Sequence, residues 1–149
     1  MVHIGVIGAG RNEDKTNLMA LEVGREVARA GAVLICGGLG GVMESAARGA
    51  REEKGTTVGI LPGETRDEAN PYIDIPIPTD LGHARNAIVV RASDALIAVG
   101  GGYGTLSEIA LALKMGKPVA GLDTWEIRGI HAASHAKEAV RTVLDLLKK

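Results

Sequence analysis

The sequence predicts an α/β fold: a Rossmann-like, doubly wound, mostly parallel sheet with helices on both faces. Three observations carry that expectation. Short β-branched runs alternate with longer helical patterns along the chain. The core must be aliphatic, because there is no Phe, only two Tyr and one Trp, as suits a parallel sheet covered by helices. The 21 glycines gather where strands hand over to helices.

Val2–Ile7 reads as the first strand. A helix from Asp14 to Ala30 follows, with Met19, Val23, Val27 and Ala30 on one face and Gly31 ending it. Ala32–Cys36 is the second strand, Val42–Lys54 a small-residue helix able to pack close to a sheet, and Thr57–Leu61 the third strand. Residues 62–72 read as loop, and Ile73–Ile77 as a short strand stopped by Pro78. A helix over His83–Ser93 leads into strand Asp94–Val99. Gly104–Met115 carries a helical stripe of Leu106, Ile109, Ala110 and Leu113, and Gly116 caps it. Pro118–Leu122 is another strand, residues 123–131 carry no clear pattern, and Ala132–Leu147 is an amphipathic helix bearing Ala136, Val140, Val143 and Leu147 on one side.

The composition narrows the function. One domain over residues 1–149 is expected, since a chain of 149 residues can bury a core without staples. A formal net charge of −1 and the near absence of aromatics argue against a nucleic-acid partner. One Cys precludes an internal disulfide and suits a reducing compartment. No stretch is long and apolar enough for a membrane span and no leader pattern opens the chain, so a cytoplasmic location is expected.

An internal echo carries the functional signal. Residues 37–44 read GGLGGVME and residues 101–108 read GGYGTLSE, both fitting Gly-Gly-x-Gly-x-x-x-Glu between an apolar strand and a helix. Glycines let a ligand approach the backbone, and the free N–H groups and dipole of a helix start favour phosphate. In open α/β sheets, ligands bind at the carboxyl ends of the strands, where these turns lie. Gly8, Gly37, Gly38, Gly40, Gly41, Gly101, Gly102, Tyr103, Gly104 and Thr105 are therefore the candidate phosphate-binding residues. Two familiar motifs fail. Gly8-Ala9-Gly10 lacks the third glycine of a dinucleotide fingerprint, Glu13 standing in its place, and no acid ends the second strand. Neither glycine run ends in Gly-Lys-Ser/Thr, so there is no Walker A loop.

GGYGTLSE (101–108), preceded by HARN (83–86), resembles the signature of the Lonely Guy superfamily, many of whose members were long misnamed lysine decarboxylases. The resemblance extends through CGGLGGVMES (36–45), VGILPG (58–63), EANPY (68–72) and residues 81–113, and is closer still to the branch of the molybdenum cofactor carrier protein. It implies one of two roles. The first is a binding or carrier protein for a phosphate-bearing heterocycle, a nucleotide or a molybdenum-cofactor-like pterin. The second is a nucleoside 5′-monophosphate phosphoribohydrolase, whose essential Arg and Glu fall on Arg85 and Glu108. Lysine decarboxylation is not expected, no cofactor is required for turnover, and a homo-oligomer is implied. Val99-Gly100 stands where the hydrolases usually have a Pro, and the loop GAGRNEDKTN (8–17) lacks their serine-rich turn.

In such an enzyme Glu108 would stabilise positive charge on the ribose or activate water; equally, a carboxylate near a helix start stabilises the helix by about 0.3–1 kcal/mol. The sequence puts Glu108 on the helix face away from Leu106 and Ile109. Arg85 could fix phosphate bidentately or orient Glu108. Thr105 offers a hydroxyl to phosphate or an N-cap, and Glu44 is structural or ligand-supporting. Cys36 reads as a packed thiol, Trp125 as packing or interface. No metal site is expected, because His131 and His135 lack a third ligand of convincing spacing.

Overall fold

The computed structural model describes residues 1–149. Seven strands form one sheet in the order β4-β3-β2-β1-β5-β6-β7, and every neighbouring pair runs parallel. They are β1 (His3–Gly8), β2 (Val33–Cys36), β3 (Thr57–Leu61), β4 (Ile75–Pro78), β5 (Ala95–Val99), β6 (Val119–Leu122) and β7 (His131–Ala132). The helices are α1 (Asp14–Arg29), α2 (Val42–Glu52), α3 (Arg85–Ala92), α4 (Tyr103–Lys114) and α5 (Ala136–Leu147).

Strand alternation divides the core into two layers. Ile4 and Val6 of β1, Leu34 and Cys36 of β2, and Ala95, Ile97 and Val99 of β5 face α1, α2 and α5. Ile7, Val33, Ile35, Leu96 and Ala98 face α3 and α4 on the other side. Burial on both faces explains why these strands read as continuous apolar runs. No helix is long and apolar enough to cross a membrane.

The closest helix pair is α1 with α2. A Cβ on Gly24 would strike the Ala46 carbonyl oxygen and come within 2.8 Å of Ala46 C and 2.9 Å of Ala50 N. Gly49 answers from the other side, where a Cβ would strike the Leu21 carbonyl oxygen and stand 3.1 Å from Arg25 N. The two backbones touch through this glycine pair. Arg25 and Arg29 then bridge to Glu52 and Glu53 across the exposed rim of the seam.

Several boundaries differ from the expected ones. Pro78 does not stop β4 but belongs to it. The strand lies at the sheet edge, where Pro76 and Pro78 occupy alternate positions that can turn their nitrogens away from β3 without losing a ladder bond. β7 was not expected at all, being two residues of exposed edge. It takes Ala132 from the last helix, which begins at Ala136 with His135 as its N-cap; His135 Nδ1 accepts from Glu138 N at 3.3 Å. Ala30 is exposed beyond the end of α1.

Candidate functional site

The strand order reverses beside β1, where β1 leads to α1 and its neighbour β5 to α4. An open cleft of about 360 Å³ lies at the carboxyl ends of these strands, where an α/β sheet places its ligands. β1 and its following loop contribute Gly8, Ala9, Gly10 and Arg11; the turn after β2 contributes Gly37; α2 contributes Met43. Arg85 and Asn86 come from the start of α3 and His83 from the turn before it, while Gly104, Thr105 and Glu108 come from the first turns of α4 and Gly102 from its N-cap. Of the sequence-predicted residues, the cleft brings together Gly8, Gly37, Gly102, Gly104, Thr105, Arg85 and Glu108. Gly38, Gly40, Gly41, Gly101 and Tyr103 do not line it.

The two halves of the sequence echo behave differently. At α2, Val42 N donates to Ala9 O at 3.1 Å, so the 8–11 loop already occupies part of the helix start. Gly41, at φ 62, lies so close beneath that loop that a Cβ would sit 2.8 Å from Arg11 O. At α4 the start is open. Leu106 N makes the first helical bond, to Gly102 O at 3.0 Å, and the amides of Tyr103, Gly104 and Thr105 have no protein partner. Gly101, at φ 107, bends the chain into this turn, and a Cβ there would strike the Thr105 side chain. The Trp125 indole N–H donates to Gly102 O at 3.1 Å, and Tyr103, 84% exposed, stacks on Trp125 with centroids 6.1 Å apart.

Thr105 is not the N-cap of α4; Gly102 is. Thr105 lies in the first turn, buried, and its hydroxyl bonds to no protein group. Nor does Glu108 stand away from Ile109. Thr105, Glu108, Ile109 and Ala112 form the buried face, while Ala110 is exposed. The apolar stripe read from sequence misjudged this helix because its first turns face a cleft, which takes polar side chains where a core would take apolar ones.

Arg85 is 8% exposed and its guanidinium is spent mostly on the protein. Nε donates to Ile60 O at 2.9 Å, Nη2 to Gly37 O at 3.4 Å, and Nη1 to Asn86 Oδ1. Arg85 forms no ion pair with Glu108, though its charge acts on that carboxyl. Glu108 is 7% exposed. Burial pushes its pKa up to about 7, and the Arg85 cation only partly opposes the rise. Between the ordinary value of 4.5 and about 7 the folded chain therefore holds a proton that the unfolded chain has released, so stability falls as pH rises through that window. Glu108→Gln is expected to flatten this slope and to raise stability at pH 8 by on the order of 2 kcal/mol. Urea denaturation of both proteins at pH 5 and pH 8 measures it; parallel pH dependence in the two would refute the assignment.

Cys36 is fully buried below the site, its thiol pushed up to about 12 by burial, and is no nucleophile. No group of three His, Cys, Asp or Glu side chains could hold a metal ion. Sequence reading gave no role to Asn86, His83, Arg11 or Met43. The HARN and GAGRN segments were the available signals for the first three; for Met43 there was none.

The SLOG cluster4 family matches residues 1–146. A protein of Archaeoglobus fulgidus is 53% identical over 141 residues, covering 94% of this chain and 93% of its own. The cytokinin riboside 5′-monophosphate phosphoribohydrolase of Mycobacterium tuberculosis is 38% identical over 117 residues, covering 72% of this chain; the alignment takes in 62% of that enzyme. Among solved structures, the molybdenum cofactor binding protein of Rippkaea orientalis superposes with TM-score 0.93 at 37% identity, over 98% of this chain and 97% of its own. The molybdenum cofactor carrier protein of Chlamydomonas reinhardtii gives TM-score 0.91 at 40% identity, over 99% of each chain.

Proposed function

This chain belongs to the SLOG cluster4 family, within the Lonely Guy superfamily near its molybdenum cofactor carrier branch, and from that membership we propose that it binds and carries a phosphate-bearing heterocycle. A molybdenum-cofactor-like pterin is the named candidate. One observation carries the reading: the start of α4 opens into the cleft with the amides of Tyr103, Gly104 and Thr105 unpaired. Such a terminus favours an anion through both its N–H groups and its dipole. A cleft of about 360 Å³ is within the range of small-molecule sites. The phosphate fits these donors. A metal would have to arrive with its own ligands, since no protein cluster supplies them.

Carriage is favoured over hydrolysis by the extent of the likeness: the two cofactor-binding proteins superpose over 97% and 99% of their own chains, whereas the phosphoribohydrolase aligns over 62% of its own. The hydrolase reading is supported by a different fact. Arg85 and Glu108, the pair matched to the superfamily's enzymes, line one cleft, and a carboxyl titrating near 7 suits general acid–base work.

Mass spectrometry of the small molecule that copurifies with the native protein tests the choice. A pterin phosphate is expected; a nucleotide favours the hydrolase. Incubation with AMP is expected to release no adenine. Adenine and ribose 5-phosphate appearing with wild type and vanishing with Glu108→Gln would replace carriage by catalysis.

A further inference from the structure

We propose that Asn86 is the side chain that donates to the ligand's phosphate, with Arg85 as the positioning residue that aims it. The proposal rests on the phosphate-binding reading above. A guanidinium can only donate, so the end of the Asn86 amide that meets Arg85 Nη1 must be Oδ1. The other end, Nδ2, is thereby turned away from Arg85. It lies 3.9 Å from where a Cβ would stand on Gly104, in the open first turn of α4.

Asn86 lines the cleft, is only 8% exposed, and its Nδ2 has no acceptor in the protein. Asn86 Nδ2 is not among the buried unpartnered atoms, so this free end of an otherwise buried side chain is the part that reaches the open cleft. There the ligand supplies the acceptor: the phosphate oxygens would accept from Nδ2, from the free amides of Gly104 and Thr105, and from the unbonded Thr105 hydroxyl. The backbone fixes the aim, because Arg85 is itself tied to Ile60 O on β3 and Gly37 O after β2. A flipped Asn86 would turn its carbonyl toward the anion and bring its NH₂ against the cation. Arg85 prevents that flip, and so acts on the ligand through its neighbour.

Asn86→Asp tests this, since it replaces only Nδ2 by oxygen and keeps the atom that Arg85 holds. The thermal midpoint is expected to stay at or above that of wild type, while affinity for AMP falls about 10- to 100-fold and affinity for adenosine does not change. The introduced charge could weaken AMP binding without contact, so a second readout separates the two. The side-chain ¹H–¹⁵N pair of Asn86, identified by its absence from the Asp variant, is expected to shift when AMP or inorganic phosphate is added to wild type. In Arg85→Lys, where the amide is no longer held, that shift is expected to shrink. An unmoved pair in wild type that binds AMP would overturn the role of Asn86 and leave the phosphate reading standing, as would AMP affinity in the Asp variant within about threefold of wild type. Wild type that binds neither AMP nor phosphate would overturn both.

Discussion

Gly24→Ala is expected to destabilise the protein by about 3 kcal/mol or more. The sign makes the case. In a free helix the same change would be favourable by about 0.8–1 kcal/mol, because alanine is the better helix former. Here the new methyl meets backbone, the Ala46 carbonyl group and Ala50 N, so it cannot be accommodated by a rotamer change. α1 and α2 must separate, opening space among Val23, Val27, Ala46 and Ala50 in the larger core layer. Gly49→Ala is expected to act alike through Leu21 and Arg25. The double variant should cost less than the sum of the two, since helices already forced apart have less contact to lose. Urea midpoints of the four proteins decide it; a stabilised Gly24→Ala would mean the helices are not in backbone contact.

Gly104→Val is expected to weaken phosphate-ligand binding by about 100-fold or more while the chain stays folded. Backbone strain plays no part in this loss. Gly104 is an ordinary helical residue without positive φ, and the nearest atom to a new Cβ is Asn86 Nδ2 at 3.9 Å. The side chain would therefore enter the cleft, not the fold. It would lie over the unpaired amides of the first turn and beside the Asn86 donor. Calorimetric titration with AMP or inorganic phosphate, alongside a thermal melt, separates binding from stability. Unchanged affinity would mean that the α4 turn is a structural feature and that the anion sits elsewhere.

The inner strands were legible because each is an apolar run buried on both sides, and the glycine echo marks the turns that follow β2 and β5 at the carboxyl edge of the sheet. The edges were not legible. β4 alternates Ile with Pro, a pattern that reads as a stop until one knows that the strand has a single neighbour, and β7 is too short to show any period. The echo also suggested two equivalent anion turns, whereas α4 has its whole first turn open and α2 has lost part of its own. What covers part of α2 is the carbonyl of Ala9, which takes the Val42 amide, a contact between segments more than thirty residues apart that no local pattern encodes. The same holds for Arg85. Its identity was readable, but not that three of its donors are committed within the protein.

The stacked pair beside Gly102 has an optical consequence. With one Trp, two Tyr and no Phe in the chain, the near-ultraviolet signal arises from Trp125, its neighbour Tyr103 and the distant Tyr72, while the aliphatic core is spectroscopically silent. Indole emission therefore reports on the rim at Gly102, to which Trp125 is tied, and on the margin of the smaller core layer, against which it packs. Quenching on ligand addition would give a label-free binding signal. A fluorescence-detected melt follows that margin, and its coincidence with a melt followed by far-ultraviolet circular dichroism tests whether entrance and fold are lost in one step.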